Sequence, residues 1–216
     1  MHRAIETNEP ICLICNQELD PLSSICAQQS ICSNCQKQFQ LHQKCYWIDE
    51  RKWFVYYEYN EFLERLWFRY KEQKDIELAS LFLENIRLNF FKRYCVCGLC
   101  SSEQKRMERG FEPLKSLFEI HDISFYSPLY KSANWKQNKL IQEKREQIDT
   151  ILKKKENYPL KSKEICLVDD VCTTGSSLKA ASRLLNPKCI FVLSAHPKWI
   201  ERHKKDQIKC SCTPWK

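Results

Sequence analysis

Glycine is nearly absent from this chain: three residues in 216, at positions 98, 110 and 175. No Gly/Ser-rich linker exists, and the nucleotide loop G-x-x-x-x-G-K-[ST] is missing. No uninterrupted apolar run approaches membrane-spanning length. The amino terminus, MHRAIETNEPICLICNQ, has no charged segment leading into a long apolar one. These absences exclude membrane insertion and make the cytoplasm the expected location. There is no internal repeat.

Cysteine, by contrast, is plentiful, with 14 residues, and aromatics make up 12% within a hydrophobic fraction of 43%. Disordered chains are poor in those classes, so the chain is expected to fold. In a reducing compartment, clustered thiols hold metal or lie buried more often than they form disulfides. The length allows one domain with a sizeable core and a small module that needs its own staple. The formal charge of +8 is uneven: residues 1–50 hold three Lys/Arg against six Asp/Glu, hence −3, which leaves +11 for residues 51–216. A basic body suits a polyanionic partner or a phosphate-rich ligand, and equally plain solubility.

Cys12-Leu-Ile-Cys15 and Cys32-Ser-Asn-Cys35 are separated by sixteen residues. That lies within the roughly 15–20-residue gap of four-thiolate zinc sites, where two tight turns each present a pair of sulfurs. Cys12, Cys15, Cys32 and Cys35 are therefore the expected ligands of a structural zinc, with Cys26 and Cys45 as spares. Asp20-Pro21 and Gln28-Gln29-Ser30 read as turns, so metal must supply the folding energy of so short a module. The expected division is a zinc module at 1–50 and a larger domain at 51–216.

Residues 51–70, RKWFVYYEYNEFLERLWFRY, hold nine aromatics. Val55 to Tyr59 has strand composition, and Phe62, Leu63, Leu66, Trp67 and Tyr70 keep helical spacing. Interleaved with Arg51, Lys52, Arg65 and Arg69, this could be a base-stacking platform, but helical spacing favours a core stripe. A further helix is expected from about 75 to 93. YCVCGLC, residues 94–100, reads as a short strand and turn with Gly98 giving backbone freedom; a second metal shared with Cys210 and Cys212 is the weaker reading. Lys105, Arg106 and Arg109 precede Gly110 as candidate nucleic-acid contacts. Lys131 to Lys155 is Lys-rich and helix-prone, and the basic tail after His196 is expected to be peripheral.

ICLVDDVCTTGSSLKAA, residues 165–181, carries the most chemistry. Ile165 to Val168 suits a buried parallel strand and Ser177 to Leu185 a helix, so the loop between them sits at the carboxyl edge of a sheet, where open α/β folds bind ligands. Thr173, Thr174, Ser176 and Ser177 bring hydroxyls, Gly175 lets backbone N–H groups close around an anion, and the helix points its positive end at the same spot. Asp169 and Asp170 beside a phosphate would face sugar hydroxyls or hydrated magnesium. The pattern reads as a ribose-5-phosphate site.

VDDVCTTGSSL resembles the phosphoribosyl pyrophosphate signature of type I phosphoribosyltransferases, and the cysteine pairs ahead of it resemble the ComF family of competence proteins. The likeness extends over MERGF at 107–111 and Q-x-x-L-x-x-x-x-R at 137–145. Val96-Cys97-Gly98-Leu99, Glu112-Pro113 and Lys74 depart from the family pattern, and the second set of cysteine pairs after Cys45 is missing. The resemblance implies an α/β fold: a type I phosphoribosyltransferase-like parallel sheet flanked by helices, with a small N-terminal four-cysteine zinc module. It further implies a helper of single-stranded DNA uptake in natural transformation, acting with a ComFA-like helicase. Asp169 and Asp170 become the candidate catalytic pair, and phosphoribosyl pyrophosphate with magnesium the ligand. A phosphoribosyltransferase of nucleotide metabolism is the alternative.

Overall fold

The computed structural model describes residues 10–19, 30–99, 101, 103–131, 152–160 and 163–215. Cys26, Cys100 and the motif residues Gln137, Leu140 and Arg145 lie outside them. In chain order the elements are α1 (Ser33–Gln36), β1 (Leu41–Ile48), β2 (Arg51–Glu58), α2 (Glu61–Lys71), α3 (Ala79–Phe82), α4 (Leu88–Lys92), β3 (Cys95–Gly98), α5 (Glu103–Arg109), α6 (Pro113–Glu119), β4 (Phe125–Tyr126), β5 (Leu129–Lys131), β6 (Leu152–Lys154), β7 (Ile165–Cys172), α7 (Ser176–Leu185), β8 (Cys189–Ala195), α8 (Pro197–Arg202) and β9 (Gln207–Ile208).

Seven strands form one sheet in the order β4-β3-β7-β8-β2-β1-β9. The first five are parallel; β1 joins β2, and β9 joins β1, antiparallel. Buried strands need apolar side chains on both faces, and these have them. All seven residues of β8 are buried, as are Trp53 to Tyr57 in β2 and Cys166 to Val168 in β7. Alternation divides them: Phe54, Val96, Val168 and Phe191 enter the core under α2, α3, α4 and α6. Trp53, Cys97, Leu167 and Ile190 enter the core under α7 and α8. The mostly parallel sheet flanked by helices is the fold class expected from the sequence.

Helix α2 begins where Asn60 accepts the Leu63 amide at 2.9 Å, with Glu61 and Glu64 in its first turn. Phe62, Leu63, Leu66, Trp67 and Tyr70 are buried, so the aromatic stripe is core.

Three expectations are corrected. The helix from 75 to 93 is broken into a 3₁₀ turn at Ile76–Leu78, α3 and α4. The break follows from the carboxyl-terminal tail, which bridges Ile86 through Trp215 and accepts the Arg87 amide at Pro214 O, 2.6 Å. That tail is accordingly not peripheral: Trp199 is fully buried, β9 extends the sheet, and Trp215 packs on Phe54. Gly98 is small for packing rather than for freedom, since a Cβ there would lie 2.1 Å from Phe125 Cζ. Position 50 falls in the turn between β1 and β2, so β1 belongs to the same sheet as the larger domain.

Candidate functional site

Strand β7 runs past the expected Val168, through Asp169 and Asp170 to Cys172, because its pairing with β8 continues to Cys172↔Ala195. Gly175 then adopts a left-handed φ of 81° and starts α7; as the cap residue it has no side chain of its own to offer, and the Ser176 amide donates to Thr174 Oγ1 at 3.4 Å. Only glycine takes that conformation without strain. The floor beneath it is aromatic: a Cβ on Gly175 would sit 3.1 Å from Trp199 Nε1 and 3.7 Å from both Trp53 Cη2 and Cys172 Sγ. The Trp53 and Trp199 rings lie 5.7 Å apart at 30°, and neither indole N–H has a hydrogen-bond partner among the described residues. Above the floor, Thr174 Oγ1 and Ser176 Oγ are 3.0 Å apart; Ser177 is half-buried and Thr173 exposed. Backbone amides at a helix start whose cap residue is glycine, ringed by hydroxyls, form an anion-binding arrangement.

Asp169 Oδ1 accepts the Asp170 amide at 3.0 Å, and Ser194 Oγ donates to Asp170 O at 2.9 Å. The Asp170 carboxylate meets Lys71 Nζ at 2.5 Å, both side chains about one-fifth exposed. Lys71, the last residue of α2, escaped the sequence reading. Its only local signal is a cation in the last turn of a helix. The ion pair offsets one negative charge beside the loop, which reduces the repulsion a bound phosphate meets. Tyr59 and His196 stand at the neighbouring strand ends, rings 6.4 Å apart; burial first, then Glu64 and Asp170, raise the Tyr59 hydroxyl pKa.

The expected basic triplet divides. Lys105 and Arg106 are exposed on α5, whereas Arg109 is 9% exposed. Its guanidinium pairs with Glu72 and donates to Ser101 Oγ at 3.4 Å, so its charge is held inside the fold. Arg109 hydrogen bonding, opposed by burial, lowers the Glu72 pKa.

The sulfurs of Cys12, Cys15, Cys32 and Cys35 lie within 4.8 Å of one another. Four thiolates around a tetrahedral ion at about 2.3 Å sit about 3.8 Å apart, and Cys15 and Cys32 are at 3.7 Å. The donor set therefore fits a metal such as zinc. Ile11 bridges Glu18, and Cys12 N donates to Gln17 O at 2.8 Å, folding the first pair into a tight turn. The Cys32 amide donates to Cys12 Sγ at 3.3 Å. Burial works to raise the Cys12 thiol, but backbone amides outweigh it and lower it, whereas burial first and then the neighbouring thiols raise Cys35, so the four do not all ionise until a cation offsets their charge. Arg69 fastens this turn to α2, donating to Ile14 O at 2.6 Å, Leu13 O at 3.1 Å and Asp75 at 2.6 Å. Cys95 and Cys97 are buried in β3, across the sheet from the tail that carries Cys210 and Cys212. Among the described residues, only the N-terminal cluster gathers three or more metal-ligating groups.

No helix among the described residues is long and apolar enough to cross a membrane. No protein-family model matches the chain. Among solved structures, an orotate phosphoribosyltransferase from Aeropyrum pernix aligns with 75% of this chain and 91% of its own, at 12% identity and a TM-score of 0.32. A likeness that slight carries no weight. Among curated proteins, the competence protein ComFC of Bacillus subtilis is 26% identical over 202 residues, covering 85% of this chain and 81% of its own. The ComF resemblance carried by the signature loop and the cysteine pairs thus meets a relative named for competence, alike over most of both chains.

Proposed function

We propose that the loop from Asp169 to Ser177 binds a ribose phosphate, phosphoribosyl pyrophosphate with magnesium in particular, and that the protein assists uptake of single-stranded DNA in natural transformation. The observation that carries the ligand reading is Gly175, left-handed as the cap of α7 on the loop that follows two adjacent carboxylates. Amides and hydroxyls of Thr174, Gly175, Ser176 and Ser177 hold the 5′-phosphate, with Thr173 at the rim. Asp169 and Asp170 accept hydrogen bonds from the ribose hydroxyls and are the groups able to hold magnesium, whose contribution is to balance diphosphate charge. Lys71 keeps Asp170 oriented. Zinc in the four-cysteine cluster holds the amino-terminal turns together.

The uptake reading is supported by the ComFC relative and by the +11 carried by residues 51–216. Lys105 and Arg106 are the proposed strand contacts, and a ComFA-like helicase is the proposed partner. Calorimetry with phosphoribosyl pyrophosphate and magnesium should show binding that Asp170→Asn abolishes while the circular dichroism spectrum is kept. Single-strand affinity should fall log-linearly with salt, and Lys105→Glu with Arg106→Glu should reduce the slope by about 0.7 for each phosphate no longer neutralised. A deletion strain that transforms normally but cannot salvage a nucleobase would overturn the uptake reading and promote the transferase.

A further inference from the structure

Outside the N-terminal cluster, Cys45, Cys95, Cys97, Cys166, Cys172 and Cys189 are buried, and among the described cysteines only Cys210 and Cys212 reach solvent. These two stand in the tail just after β9. The register places Cys45 opposite Phe54 and Trp47 opposite Lys52, so Cys45, Lys52 and Phe54 share one sheet face. The tail lies over that face, with Trp215 against Phe54. Cys210 Sγ and Cys212 Sγ are 3.1 Å apart, and Lys52 Nζ donates to Cys212 Sγ at 3.3 Å.

We propose that Cys210 and Cys212 form a thiol–disulfide exchange site for a small-molecule disulfide, in which Lys52 holds Cys212 as the attacking thiolate. Hydrogen bonding from Cys210 first, and from Lys52, lowers the Cys212 pKa against the opposing effect of burial. The Lys52 pKa rises in turn, chiefly through its bond to Cys212. Cys45 behaves oppositely: burial and then the neighbouring Cys210 push its thiol up to about 12, so it stays protonated and does not compete.

In the first step the Cys212 thiolate attacks one sulfur of the small disulfide. A bond forms between them, the disulfide bond breaks, and the departing thiolate takes a proton. Cys210 then loses its proton and attacks Cys212 Sγ, releasing the second small thiol. Two protein thiols lose two electrons and two protons, and one disulfide becomes two thiols. The closing distance of 3.1 Å is about 1 Å longer than a disulfide bond.

The test uses the full metal-bound chain, reduced and then exposed briefly to oxidised glutathione. Trypsin cleaves after Lys209, so Cys210 to Lys216 leaves as one peptide carrying both thiols. After alkylation of remaining thiols, that peptide should have lost two hydrogens about tenfold faster than any other cysteine is modified. Cys210→Ser should instead trap glutathione on Cys212. Lys52→Met should slow the reaction severalfold at neutral pH, a deficit that closes at alkaline pH, where Cys212 ionises unaided; a merely structural role of Lys52 would not move that profile. The proposal is overturned by a 210–216 peptide that reacts no faster than the buried cysteines, by absence of the trapped adduct, or by a Lys52→Met profile identical to the parent's.

Discussion

The two candidate sites of this chain are held in opposite ways. In the four-cysteine cluster the candidate ligating atoms belong to side chains at fixed spacing, and the chain around them folds into short turns in which Leu19 and Ile31 are the other buried apolar side chains. The signature loop is shaped from beneath, by Trp53 from β2 and Trp199 from α8. The first has the donor set for one ion and the second rests on a whole sheet, so each should fail in its own manner.

Cys12→Ser tests the difference most severely. It removes a buried donor from the tetrahedral set, and zinc-dependent folding is worth about 10–16 kcal/mol in isolated fingers. Metal content should fall from one ion per chain to none, and amide exchange should show protection lost over residues 10–19 and 30–38 while β7 and β8 stay protected.

Trp199→Ala works on the other side of the comparison. Loss of a fully buried indole should cost about 3–5 kcal/mol in chemical denaturation. Zinc content should not change.

A smaller, matched pair sharpens the point. Gly110 and Gly175 have φ of 80° and 81°, but among the described residues a Cβ meets nothing within 4 Å at Gly110 and Trp199 at Gly175. Alanine at either position pays about 1–2 kcal/mol for the left-handed backbone. Gly175→Ala should therefore lower the melting temperature more than Gly110→Ala, by the crowding alone.

The smallest effect concerns acid. The Glu72 pKa lies below its ordinary 4.5, chiefly through Arg109, so this pair stabilises the fold above that pH. The contribution fades as pH falls through the lowered value. Glu72→Gln should melt below the parent at neutral pH, and the gap should narrow below pH 4.5.

What was legible in the sequence follows the same division. Cys12, Cys15, Cys32 and Cys35 could be read as a set because neighbouring pairs carry the chemistry. The strand, loop and helix around Asp169 to Ser177 could be read because apolar run, glycine and helix former follow in order. Lys71 and Trp199 could not, since each reaches the loop from another element and its own surroundings are those of any helix. The broken helix at 83–87 was hidden for a similar reason: its interruption is set by Pro214 and Trp215, which the local sequence does not contain. Arg109 was read by its charge, while its burial against Glu72 is a property of packing.

One turn of α2 carries Arg69, which grips the carbonyls of Leu13 and Ile14, and Lys71, which meets Asp170. An α-helix turns about 100° per residue. A single residue inserted between these two positions would swing Lys71 around the axis while Arg69 stayed in place, and a deletion would do so in the other direction. Two contacts thus fix the register of this last turn, and an insertion in an exposed surface turn should be tolerated far better than one here.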